Sequence, residues 1–68
     1  MPSYILNKRA QPNGDHEVHM TTCRSLPWPE NRHFLGEFPS CSGAVAAAKR
    51  IYLKANGCAH CCSACHTR

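Results

Sequence analysis

Apolar and polar residues change their spacing three times along this 68-residue chain. Tyr4, Ile5 and Leu6 form the apolar part of SYILNKRAQ, residues 3–11, which reads as a strand. Pro12-Asn13-Gly14-Asp15 follows as a turn, because Gly accepts positive φ and Asn and Asp tolerate it. In HEVHMT, residues 16–21, His16, Val18 and Met20 alternate with Glu17, His19 and Thr21. That period of two is a strand's, so the two segments predict a small antiparallel β-hairpin. Pro27-Trp28-Pro29 then excludes a regular helix or a central strand. RHFLGEF, residues 32–38, predicts a short third strand, broken by Pro39.

Residues 42–55, SGAVAAAKRIYLKA, predict the one helix. Its Ala run has the highest helix propensity, and Ser40 or Ser42 can cap its start. Val45, Ala48 and Tyr52, flanked by Ala44, Ala47 and Ile51, form one apolar stripe. Lys49, Arg50 and Lys54 fall toward the end where the dipole favours cations. Asn56-Gly57 reads as the stop, with Gly57 free to turn left-handed. The expected architecture is α+β: a hairpin and a short third strand packed on one helix, with a cysteine-rich tail, as a single domain over residues 1–68.

Composition makes that core thin. A chain this short buries only roughly 60% of its unfolded surface. The aromatics are Tyr4, Trp28, Phe34, Phe38 and Tyr52, and much of the 43% apolar content is Ala and Cys. A cross-link is therefore expected on energetic grounds. The same scarcity favours Trp28 as a core plug over an exposed anchor.

The tail, GCAHCCSACHTR, supplies the cross-linking chemistry. His19 and Cys23 stand as H-x3-C, and Cys58 and Cys61 as C-x2-C. Two separated pairs of N and S donors are the usual form of a closed structural zinc site, here one imidazole and three thiolates. Cys41, Cys62, Cys65 and His66 remain as an alternative or second quartet. Disulfides compete with both, six cysteines allowing 15 pairings, although a reducing compartment favours a metal. Cys41 alone reads as a small buried hydrophobe, and His16, His33 and His60 as exposed and unliganded. A dithiol oxidoreductase is disfavoured, because Cys58 follows a helix instead of starting one.

The formal net charge of +4 is a weak signal for an acidic partner. Lys8, Arg9, Arg24, Arg32, Lys49 and Arg50 are the candidate phosphate contacts of a nucleic-acid-binding module; an ordinary solvated surface is the plain alternative. A protein-interaction module, with Trp28 as its anchor, is the second functional expectation. The carboxylates Asp15, Glu17, Glu30 and Glu37 form no evident pair, so no enzyme is expected. No basic stretch followed by a long apolar run opens the chain, and no apolar run approaches roughly 20 residues. A cytoplasmic, monomeric protein without a membrane span is expected.

The order of pieces resembles a known module. H-x3-C in a hairpin, Pro29-Glu30-Asn31-Arg32 before an apolar strand, SCSGAVAAAK, then Gly and C-x2-C is similar to the zinc-binding module at the N-terminus of Ada-type DNA alkylation-repair methyltransferases. Related copies, often with His for the first Cys, are appended to some bacterial nucleases. NGDHEVH and CCSACHT also look like a narrower group of small bacterial proteins. The resemblance implies that His19, Cys23, Cys58 and Cys61 bind zinc and that a helix packs on a small antiparallel sheet. It does not imply methyl transfer: His19 occupies the position of the family's nucleophilic Cys and cannot act as a thiolate. Lys54-Ala55-Asn56-Gly57 also stands where the family has Gly-Tyr-Arg-Pro.

Overall fold

The computed structural model describes residues 1–67; Arg68 lies outside the described residues. Strands β1 (Ser3–Asn7) and β2 (His16–Met20) pair antiparallel, Ile5 facing His19 and Leu6 facing Val18. Their connection closes as expected. Gly14 adopts φ 91°, its N–H donates to Gln11 O at 2.8 Å, and the Asp15 N–H donates to Asn13 Oδ1 at 2.9 Å. β1 ends at Asn7, four residues before the predicted end, because the chain leaves the ladder to make this wide turn. β3 (Arg32–Glu37) pairs antiparallel with the other edge of β1, after a single 3-10 turn over Pro29–Asn31.

The helix, α1, runs Cys41–Lys49 and is shorter than predicted. Residues 55–57 do not continue it. Ala55–Gly57 form β4, which pairs in parallel with β2 and completes a mixed sheet of order β3-β1-β2-β4. The reason is tertiary capture. His16 N donates to Lys54 O at 2.8 Å and Cys58 N to Val18 O at 2.9 Å, so β2 takes the backbone hydrogen bonds that further helix would have used. Gly57 is consequently extended, not left-handed. It is glycine for room: an added Cβ would lie 2.8 Å from Cys62 O and 2.9 Å from the Cys65 carbonyl carbon.

Tyr4, Leu6 and Val18 pack on Ala44, Ala48 and Ala55, with Cys23, Cys58 and Cys62 in the same cluster. Small helix residues bring α1 close to the sheet but fill little volume. Ile5 and His19, paired across the strands, are also buried, on the opposite face of the pleat from Leu6 and Val18. Trp28 corrects the expectation of a core plug: it is 73% exposed. Pro27 and Pro29 flank it in a segment without strand or α-helix.

Candidate metal centre

Two strand ends and the turns that follow them converge on one point. β2 delivers the His19 side chain, and the turn after it, with Cys23 N donating to Met20 O at 3.0 Å, brings Cys23 back beside the strand end. β4 delivers Cys58 in register with β2, and the turn closed by Cys62 N to Cys58 O at 2.8 Å swings Cys61 toward the same place. The donor atoms of His19, Cys23, Cys58 and Cys61 all lie within 4.8 Å of one another. These four lie close enough to hold a metal ion.

The spacing fits a particular coordination. A tetrahedron with bonds of about 2.3 Å has edges of about 3.8 Å, and Cys23 Sγ lies 3.9 Å from Cys58 Sγ. Each sulfur also faces a backbone donor. His60 N–H points to Cys58 Sγ at 3.4 Å, Ser25 N–H to Cys23 Sγ at 3.4 Å, and Met20 N–H to Cys61 Sγ at 3.2 Å. Amide hydrogens aimed at sulfur favour the ionised form that a metal needs.

His19 is 1% exposed, and neither ring nitrogen has a hydrogen-bond partner. Glu17 Oε1 approaches Nε2 at 3.4 Å without hydrogen-bond geometry. Burial is the main reason that the imidazole is held below its ordinary pKa; Glu17 opposes this and His60 adds to it. Burial likewise pushes the thiol of Cys61 far up and that of Cys62 up. The site favours a neutral imidazole, which ligates, and resists bare thiolates, which a cation would stabilise. The ring of donors is not fully enclosed: a depression of about 300 Å³, lined by Thr22, Cys23, Arg24, His60 and Cys61, reaches it from solvent.

The alternative quartet is not assembled. Cys41 and Cys65 are joined by a disulfide, which corrects the expectation that Cys41 is a lone buried hydrophobe. His66 directs Nδ1 to Gly57 O at 2.9 Å, and Cys62 is a buried free thiol. His33 and His60 are exposed as expected, but His16 is half-buried and stacked on Tyr52. Asn56, expected only as a helix stop, is a buried clamp. Its Oδ1 accepts from Gly57 N, Thr67 N and Thr67 Oγ1, and its Nδ2 faces Asp15 Oδ2 at 3.4 Å. A short polar residue followed by Gly is the same signal for a stop and for such a clamp, so nothing local separates the two.

The six candidate phosphate contacts are all exposed and are carried by several different elements. Lys8 and Arg9 leave the end of β1, where Lys8 N bonds Asn31 O, and Arg32 starts β3 opposite Asn7 with its Nε on Pro27 O at 2.8 Å. Arg24 borders the depression over the sulfurs, and Lys49 and Arg50 end the helix. No family model, curated protein or solved structure matches the chain. No helix among the described residues is long and apolar enough to cross a membrane.

Proposed function

We propose that this chain is a zinc-stabilised, non-enzymatic binding module whose partner is nucleic acid. His19 carries the metal half of this reading. A fully buried imidazole with both nitrogens unpaired, placed among three sulfurs, costs free energy in the absence of a ligand, about 1–3 kcal/mol for each orphaned polar atom. A divalent ion bound at one ring nitrogen removes that atom's share of the cost. One imidazole and three thiolates suit zinc, and four protein donors complete its tetrahedron and leave no position for water or substrate. The ion's role is then to hold the fold, with on the order of 10 kcal/mol available for it.

The nucleic-acid half rests on where the charge lies. All four acidic residues fall within residues 1–37, and Lys8, Arg9, Arg24 and Arg32 balance them. The net +4 therefore belongs to residues 38–68, which hold Lys49, Arg50, Lys54 and Arg68 and no acid. Native mass spectrometry with and without chelator is expected to show one zinc per chain; a chain that binds none overturns the metal half. Oligonucleotide affinity is expected to fall steeply with salt and on Lys49→Glu with Arg50→Glu. Salt-insensitive binding, or none at low ionic strength, overturns the partner.

Trp28 favours a second reading, a protein-interaction module. A largely exposed Trp between prolines, beside a depression lined by Leu26, Pro27 and Arg32, suits an anchor seated in another protein's pocket. Acrylamide quenching tests its accessibility in the free protein. Loss of that quenching on adding nucleic acid would assign the surface to the first partner instead.

A further inference from the structure

The end of the helix carries a second built surface, remote in chemistry from the sulfurs. A shallow depression of about 520 Å³, open to solvent, is lined by Gly14, His16, Ile51, Tyr52, Leu53 and Lys54. Within it the rings of His16 and Tyr52 stack with centroids 3.7 Å apart and planes 2° from parallel. Both rings are fixed: His16 Nδ1 lies 2.9 Å from Asn7 O, and Tyr52 packs against the core cluster. Beside them Leu53 is 88% exposed and Ile51 46% exposed. Exposed cations bracket this apolar segment, Lys49 and Arg50 before it and Lys54 after it, with Lys54 Nζ resting on Asn13 O at 3.0 Å.

A duplex presents phosphates and hides its base faces. It rewards the cations and has no use for the aromatic and aliphatic surface between them. A single strand presents both, and a base gains by stacking on a ring or apolar wall while its flanking phosphates meet Lys or Arg. We infer that the His16–Tyr52 stack with Ile51 and Leu53 is a seat for an unpaired base of single-stranded nucleic acid, and that Lys49, Arg50 and Lys54 receive the adjoining phosphates. This rests on the nucleic-acid reading above and narrows it. The rings are already ordered, so a base joins the stack without the entropic cost of fixing them. An anionic bilayer also suits cations around apolar tips. It is disfavoured because the tyrosine ring is turned onto His16, leaving two aliphatic side chains to insert.

The test is fluorescence anisotropy with the zinc-loaded full chain, comparing a labelled oligothymidine with a hairpin duplex at equal salt. The single strand is expected to bind about tenfold tighter. Leu53→Ser, at an exposed position where folding is not at risk, is expected to lower single-strand affinity several-fold and leave duplex affinity unchanged. Tyr52→Phe keeps the ring and the affinity; Tyr52→Leu keeps apolar bulk, removes the π-face and loses about tenfold. Trp28→Ala has no effect. Equal binding of both nucleic acids, or a loss that follows Trp28 and not Tyr52 and Leu53, overturns the base seat while leaving nucleic-acid binding standing. No binding of either at low salt overturns the underlying reading. Binding to phosphatidylserine vesicles with the oligonucleotides ignored replaces both with a membrane surface.

Discussion

The C-terminal tail is fastened to the rest of the molecule at two places, by different chemistry. Near its start, Cys58 and Cys61 meet His19 and Cys23 at the end of β2, across 35 positions between Cys23 and Cys58. Near its end, Cys65 is bonded to Cys41, the first residue of α1, across 24 positions. Cys23 and Cys58 belong to the buried core cluster, whereas Cys41 and Cys65 are only half-buried. The first fastening joins the hairpin to β4 and so determines whether the sheet has a fourth strand. The second holds a 3-10 turn against the helix. With the proposed zinc in the first, their dependences are opposite: a chelator attacks the first and spares the second, and a reductant does the reverse. The six cysteines are therefore not one feature: three stand in the quartet with His19, two form the bridge, and Cys62 is a buried free thiol of the core.

The largest expected effect follows from breaking the first fastening alone. A domain of this size has a total stability of roughly 3–10 kcal/mol, comparable with the order of 10 kcal/mol that a structural zinc contributes. EDTA treatment, or Cys58→Ser, is therefore expected to abolish the dispersed NMR spectrum. A metal-free chain that keeps that dispersion with its thiols reduced would show that the sulfurs are ordinary core atoms.

Acidity and alkalinity separate the two states of the same centre. Without an ion, burial raises the Cys61 and Cys62 thiols above their ordinary 9.0, so the neutral forms stabilise the fold below that pH and the contribution is lost as pH climbs. His19 is depressed below its ordinary 6.5, so its contribution is present above that value and lost as pH falls. With an ion bound, the Cys61 part of the alkaline limb disappears, because that thiol is already deprotonated, while Cys62, outside the quartet, keeps its part. The acid limb steepens, because protons compete for three sulfurs and one nitrogen. Thermal unfolding of the zinc-loaded chain carrying Cys62→Ala, followed from pH 5 to 10, is expected to lose stability on the acid side and to show no alkaline limb. An alkaline limb in that variant would mean that Cys61 is not a ligand.

Breaking the second fastening should cost less. Closing a loop of this length is worth about 3 kcal/mol by chain entropy. Cys41→Ser, or mild reduction, is expected to lower stability by that order and to speed amide exchange at Cys65 to Thr67, with zinc content unchanged. Loss of zinc from Cys41→Ser would show that the bridge supports the centre and that the division between them is false.

Much of this was legible in the chain. Alternation in HEVHM gave β2, the Asn-Gly-Asp turn gave the hairpin, and the H-x3-C and C-x2-C spacings gave the quartet that the fold gathers. Those signals are local: each pair of ligands sits on one turn, so sequence spacing nearly equals spatial spacing. The parts that escaped are settled across the chain. Ala55-Asn56-Gly57 carries no strand signature and becomes β4 because β2 has a free edge beside it. Cys41 meets Cys65 because the chain returns after α1 through β4 and brings the tail back to the start of the helix. Trp28 is displayed because the core closes without it.

The smallest effect tests how finely the centre is built. Glu17 sits two residues before His19 on the same face of β2, and its Oε1 lies 3.4 Å from Nε2. A carboxylate behind a ligating imidazole orients the ring and raises its basicity, and removing one typically weakens metal affinity by about 10- to 100-fold. The contact here is long and lacks hydrogen-bond geometry, so Glu17→Gln is expected to fall at the low end, about tenfold, or roughly 1.4 kcal/mol. Competition with a colorimetric zinc chelator measures it, and Glu30→Gln, on the exposed 3-10 turn, is the charge-matched control. If Glu17→Gln and Glu30→Gln weaken zinc equally, the effect is net charge and Glu17 has no place in the centre. If Glu17→Gln alone weakens it, the strand that supplies the imidazole also supplies the group that holds it, and β2 contributes more to the first fastening than its one ligand.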